Sequence, residues 1–196
     1  MDDMKNRFRQ LWMLALAAGL LLAPRPGLAA DRKPEIRRID DRRDAAVVRR
    51  LEAVRETLPA EFRKRNNFAW AAAEINGLDQ AEYFAHSGIQ DFKSLSAEET
   101  NRIAAISLRP DEDAAQFKIL CVNQSGKVDG PDCWYRSVDT EFKILEDIAS
   151  RLPDPAVTGR LRLYTELYPC PSCRGVMQQF LARYTNVQMQ VLYRRK

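Results

Sequence analysis

Two thiols, Cys170 and Cys173, stand in the run Pro169-Cys170-Pro171-Ser172-Cys173. A pair at that spacing is half of a zinc site or one redox couple. An alternating apolar stretch precedes the run and a helically periodic one follows it, which puts the thiols at a helix start just past a strand. Pro171 suits the first helical turn, where its missing N–H costs nothing. The positive end of the helix dipole favours thiolate over thiol. Glu141 lies 29 residues before Cys170, in Asp139-Thr140-Glu141, where another helical pattern begins. A carboxylate there can carry a proton or simply favour the dipole. Asp139 has two competing roles, as a good helix N-cap and as an acceptable zinc ligand.

A hydrolytic zinc centre needs three protein ligands and one open position. It also needs a carboxylate that is not a ligand, to move a proton from water to a ring nitrogen and to leaving ammonia. Zinc nucleobase deaminases supply these parts as H-x-E at one helix start and P-C-x-x-C at the next. The same layout is present here, with Asp139 where His or Cys usually stands and Glu141 as the proton shuttle. The third ligand stays open between two residues. Position favours Asp139, while softness favours the imidazole of His86, the single histidine.

The elements that must hold these groups are legible in the pattern. Val47, Leu51, Val54 and Leu58 recur at helical spacing and end before Pro59. Residues 68–75 read as a buried strand, Asn76-Gly77 as a hairpin turn, and residues 81–87 as the returning strand. Ser96-Ala97-Glu98-Glu99 is a capping-box pattern that opens a helix to about Leu108. Residues 117–123 read as a strand. Phe142, Leu145, Ile148 and Leu152 mark a helix stopped by Pro153. Strand, helix and strand follow over 160–167, 171–184 and 187–193. The fold class is α/β, a mixed sheet with helices packed on it and both candidate helix N-termini at one end. The units are a leader at 1–30, an N-terminal helical segment at 31–65, and a domain at 66–196 with an insert at about 88–138.

The chain has 196 residues, enough for one domain with a real core. Lys5, Arg7 and Arg9, then 13 apolar residues from Leu11 to Ala23, then small residues at 27–30, read as a signal peptide. Export to the periplasm or beyond follows, with no stable membrane insertion after cleavage. Removing 1–30 leaves 27 Lys and Arg against 25 Asp and Glu, a balance that by itself does not argue for nucleic acid. In an oxidising compartment Cys121 and Cys133, which bracket a turn-rich segment, read as a disulfide-closed hairpin.

Four segments resemble the bacterial polymorphic-toxin deaminases: Ala72 to Leu78, Phe84-Ala85-His86-Ser87, Asp139 to Glu146, and Tyr164 to Cys173. The likeness continues from Gly175-Val176-Met177 to Val191 and covers about residues 66–196. It implies a cytidine-deaminase-like fold, one catalytic zinc, and deamination of a base in nucleic acid or a nucleotide. It also implies use as a secreted effector and an immunity protein as partner. It favours Asp139, Cys170 and Cys173 as ligands, and leaves His86 nearby to orient substrate or to support a group beside the site. Thr165 and Glu166, at the end of the strand leading to Pro169, either line the pocket or close the sheet. Trp134, Tyr135 and Tyr168 could stack a base, whereas Trp70 reads as core.

A thiol–disulfide oxidoreductase is the rival reading, since C-P-x-C at a helix start after a strand also suits redox work. It calls for a further hairpin and helix after the motif and a proline near the active site. Residues 174–196 hold one helical pattern, one strand pattern and no proline.

Overall fold

The structure, a computed structural model, describes residues 32–195; the expected leader at 1–30 lies outside them. Its centre is a five-stranded mixed sheet in the order β1-β7-β6-β2-β3. The strands are β1 (Glu35–Arg38), β2 (Phe68–Ile75), β3 (Glu82–His86), β6 (Thr158–Leu167) and β7 (Asn186–Arg195). The short strands β4 (Cys121–Val122) and β5 (Trp134–Tyr135) form a separate hairpin. Helices are α1 (Ala45–Thr57), α2 (Ala97–Arg102), α3 (Thr140–Ser150) and α4 (Pro171–Arg183).

Side chains of a strand alternate between faces; β2 is apolar on both, while β6 and β7 carry Arg160, Arg162, Gln188 and Gln190 on their second face. Ala69, Ala71, Ala73 and Ile75 of β2, with Leu161 and Leu163 of β6, meet α3 and α4 on one face. Phe68, Trp70 and Tyr164 meet the α1 stripe Val47, Leu51 and Val54 on the other. The small alanines let the α3 residues Ile144, Leu145 and Ile148 approach the sheet closely. The α4 stripe Val176, Met177, Phe180, Leu181 and Tyr184 is wholly or nearly buried. Each large side chain there contributes about 1.5–3 kcal/mol by burial. Truncating Phe180 to Ala would cost about 3–5 kcal/mol.

The β2–β3 turn, the three long helices α1, α3 and α4, and the last two strands lie where the sequence puts them. Gly77 takes φ +91° in that turn, a conformation a glycine adopts without strain. Three segments differ. The N-terminal segment is not helical throughout: β1 pairs parallel with β7 at the sheet edge. Its single apolar residue, Ile36, gives too little alternation to reveal a strand. The helix opened by Ser96 forms its capping box but ends at Arg102, after which Ser107 N donates to Phe84 O at 2.7 Å. The expected strand over 117–123 shrinks to Cys121–Val122, because side chains take its backbone donors. Glu146 accepts from Gln116 N and Phe117 N, Gln179 Oε1 from Lys118 N, and Ser172 Oγ from Leu120 N. Among the described residues no helix is long and apolar enough to cross a membrane.

Candidate active site

A short connection returns the chain from α3 into β6, so the start of α3 lies by the end of β6, where α4 in turn begins. The start of β2 and the end of β3 reach the same edge, since Ala69 pairs with Thr165 and Phe68 with His86. Four chain segments therefore converge on a cleft of about 510 Å³. Asn67, Ser87, Arg136, Asp139, Glu141, Tyr168, Cys170 and Cys173 are among its walls. The volume falls in the range of about 300–1,000 Å³ usual for small-molecule sites.

At its floor Asp139 Oδ2 lies 3.3 Å from Cys170 Sγ and 3.1 Å from Cys173 Sγ, and the two sulfurs are 3.4 Å apart. Asp139 occupies the N-cap of α3, yet its side chain makes no capping hydrogen bond. The carboxylate is turned toward the sulfurs instead. Cys170 is the N-cap of α4, and its sulfur accepts from Cys173 N at 3.4 Å. Arg136 Nη1 reaches the other Asp139 oxygen at 3.9 Å. Donors held at about 2.0–2.3 Å by one tetrahedral zinc stand roughly 3.3–3.8 Å apart, so this triangle needs only slight widening to take the ion. The electrostatics agree. The contact with Cys170, burial, and the charges of Glu141 and Asp139 all push the Cys173 thiol well up. A dication relieves that mutual repulsion, and ligation removes the thiol proton. The donor set fits zinc.

Glu141 lies in the first turn of α3 beside this triangle and is only 3% exposed. Burial, then the charge of Asp139, pushes its carboxyl up to about 7 in the metal-free chain. Thr140 Oγ1 donates to Glu141 Oε2 at 2.9 Å. Thr165 is fully buried and joined to Asn67, whose Nδ2 donates to Thr165 Oγ1 at 3.0 Å and to Thr140 Oγ1 at 2.8 Å. Asn67 thus ties the lip of β2 to α3, which carries the carboxylate, and to the end of β6. It is the residue sequence reasoning missed. Its only signal was a polar pair, Asn66-Asn67, just ahead of an apolar strand.

His86 and Glu166 are not in the cleft. His86 is fully buried, with Nε2 on Arg65 O at 2.9 Å and Nδ1 accepting from Gly88 N at 3.1 Å. Both ring nitrogens are occupied, and the imidazole pins the backbones of 65–67 and 86–88 that form the cleft wall. Gly88 leaves room beside it: a Cβ there would stand 2.5 Å from Asn66 Nδ2 and 3.1 Å from the imidazole, so both side chains would have to shift. Glu166 follows Thr165 on a strand and so faces the opposite side. There it pairs with Arg55 of α1 at 2.6 Å. Trp70 is core, while Trp134 and Tyr168 line the cleft. Cys121 and Cys133 stand at bonding distance, 1.98 Å, across the β4–β5 hairpin.

No curated protein and no solved structure matches the chain. A family model does, over residues 51–195, from within α1 to the end of β7. That span contains every wall of the cleft, and the mixed sheet with its two helix starts is the cytidine-deaminase-like arrangement. With most of its length matched, the chain belongs to the Toxin-deaminase family, the BURPS668_1122 family of deaminases.

Proposed function

We propose that this deaminase is zinc-dependent and acts as an exported toxin on a base in nucleic acid, with cytosine chosen by analogy alone. One observation carries the zinc reading: Asp139 leaves its capping role unused and aims its carboxylate at both cysteine sulfurs. Asp139, Cys170 and Cys173 would hold the ion. Bound there, zinc would supply the Lewis acidity that brings the pKa of water toward neutrality.

The remaining chemistry belongs to the chain. Hydrolytic deamination takes one water, leaves oxygen on the ring carbon, and releases the amine as ammonia. A group must accept a proton from water and deliver protons to the ring nitrogen and the departing amine. Glu141 sits beside the donor triangle and lines the cleft, where a carboxylate outside the ligand set can take a proton and return it. Thr140 fixes one of its oxygens, and Asn67 braces Thr140 and Thr165 behind it. Burial of the floor excludes bulk water from the proton's path.

Export, leader cleavage near Ala29 or Ala30, an oxidised Cys121–Cys133 pair and an immunity partner complete the proposal. N-terminal sequencing of secreted protein should find the chain beginning close to Asp31. For the activity, zinc-loaded protein is incubated with single- and double-stranded DNA, RNA and nucleosides, and ammonia and base conversion are measured. Conversion of a base supports the reading. A folded, zinc-loaded protein that converts none overturns it, and a reducible Cys170–Cys173 pair without zinc would return the oxidoreductase.

A further inference from the structure

The large apolar side chains exposed among the described residues are gathered rather than scattered. They are Leu120, Val128, Trp134, Tyr135, Leu167 and Tyr168. The first four lie on the β4–β5 hairpin or its approach, and the last two where β6 leads into α4. Both segments border the cleft. Single exposed apolar residues are ordinary, but a collection around one site marks a surface that meets something.

Each of these two segments is also joined by an arginine lying on one of its aromatic rings. The guanidinium of Arg136 is 4.1 Å from the Trp134 ring centre, and that of Arg174 is 5.5 Å from the Tyr168 ring centre. Tyr193 meets the Tyr168 ring edge-on at 5.0 Å and holds it upright. Trp134 is 42% exposed and Tyr168 40%, so both rings keep a solvent-facing area. Flat aromatic faces take nucleobases by stacking, and a neighbouring guanidinium suits phosphate. A nucleoside has one base and no phosphate, and leaves both pairs without a ligand once its base enters the floor. In a duplex the flanking bases are stacked and paired, and freeing them for either ring costs unstacking and unpairing energy that a single strand is spared.

We infer that Trp134 and Tyr168 stack the nucleotides on either side of the reacting base, with Arg136 and Arg174 toward the backbone, so that the substrate is single-stranded nucleic acid. The inference rests on the deaminase reading for the position of the reacting base. The hairpin that carries Trp134 is then a strand-binding arm, and the sulfur pairing of Cys121 with Cys133 sets its shape.

Fluorescence anisotropy of the zinc-loaded full chain with a fluorescein-labelled, mixed-sequence single strand tests it. DNA and RNA strands are compared, together with the DNA duplex. At least one single strand should bind more tightly than the duplex, and whichever sugar is preferred identifies the strand. Trp134→Ala and Tyr168→Ala should each weaken strand binding by roughly 5- to 100-fold, the scale of one lost base stack. Trp134→Phe and Tyr168→Phe should recover most of it. Circular dichroism and thermal unfolding check that the variants fold. Folded alanine variants that bind as the unsubstituted chain does would overturn the inference, as would duplex binding equal to the strand's or no strand binding. Ammonia release by the unsubstituted chain decides the deaminase reading separately, because anisotropy reads binding without turnover.

Discussion

Asp139 Oδ2 stands 3.1 Å from Cys173 Sγ although 34 positions separate the two residues in the chain. The contact follows from topology. α3 runs down one face of the sheet, β6 returns, and α4 starts where β6 ends, so two helix N-termini meet at one edge. Asp139 and Cys170 are the N-cap residues of those helices. Backbone N–H groups at both starts favour negative charge, which offsets part of the mutual repulsion of the carboxylate and the sulfurs once an ion draws off the thiol proton.

Glu141 is expected to serve turnover without serving metal binding. Its carboxyl is fixed by Thr140 and lies outside the Asp139–Cys170–Cys173 cluster. Glu141→Gln keeps shape and much of the hydrogen bonding but cannot move a proton. Zinc content and thermal unfolding should stay close to those of the unsubstituted chain, while the deamination rate falls by roughly 100-fold or more. Undiminished activity in this variant would remove the proton shuttle from the mechanism.

What could be read from the sequence, and what could not, divides along physical lines. α4 was legible because Pro171 marks its start and a buried stripe runs to Tyr184. β2 was legible because an apolar run ends at Asn76-Gly77. The Cys–Asp–Glu cluster followed from residue type and spacing, since each member sits at a helix start that the pattern locates. β1 was hidden because its strand state comes from pairing with the β7 edge rather than from its own residues. The neighbours Thr165 and Glu166 had to face opposite ways, and the shared parity of Leu161, Leu163 and Thr165 was the clue to which faces α3 and α4. Asn67 and His86 act through backbone and side-chain partners far away in sequence, which no local pattern encodes.

Asp139→Ala and His86→Ala should separate ligation from wall-building. Removing Asp139 takes away one of three donors and should lower zinc content and affinity sharply. Removing His86 leaves the triangle whole but deletes a buried ring and its two hydrogen bonds. The expected result is retained zinc with a fold weakened by about 2–4 kcal/mol. Metal analysis beside chemical denaturation reads both. Zinc loss confined to His86→Ala would transfer the ligand role to the imidazole.

The β4–β5 hairpin should depend on its sulfur tether more than the sheet does. Two strands of two residues each are marginal alone. A cross-link over a separation of 12 contributes about 2–4 kcal/mol where it is unstrained. In the Cys121→Ser, Cys133→Ser double variant, amides across 121–135 should exchange with deuterium faster. Those of β6, β7 and α4 should keep their protection. Unchanged exchange in the hairpin would show that packing under Val122, not the tether, holds it.

Lys143 should make stability rise with pH above neutrality. It lies on α3 fully buried, and its Nζ donates to His86 O at 3.0 Å and Ile89 O at 2.6 Å. Burial pushes its pKa down to about 7, with Arg109 adding to the shift and Asp139 opposing it. In the unfolded chain an ordinary lysine titrates near 10.4, at about its free value. Between those two values the unfolded state binds more protons than the folded one, so stability increases with pH through that window. Below about pH 7 both states carry the ammonium and the full cost of burying it is present; above about pH 10.4 neither does and the cost is gone. The gain across the window is on the order of 4–5 kcal/mol. Lys143→Met keeps the length and removes the charge, so groups shared by both proteins cancel in the difference. Denaturation of the two proteins in the same metal state should show the unsubstituted chain gaining on the variant as pH rises from 7 to about 10. A difference that stays flat would mean that its two carbonyl partners hold the buried ammonium as well as water does.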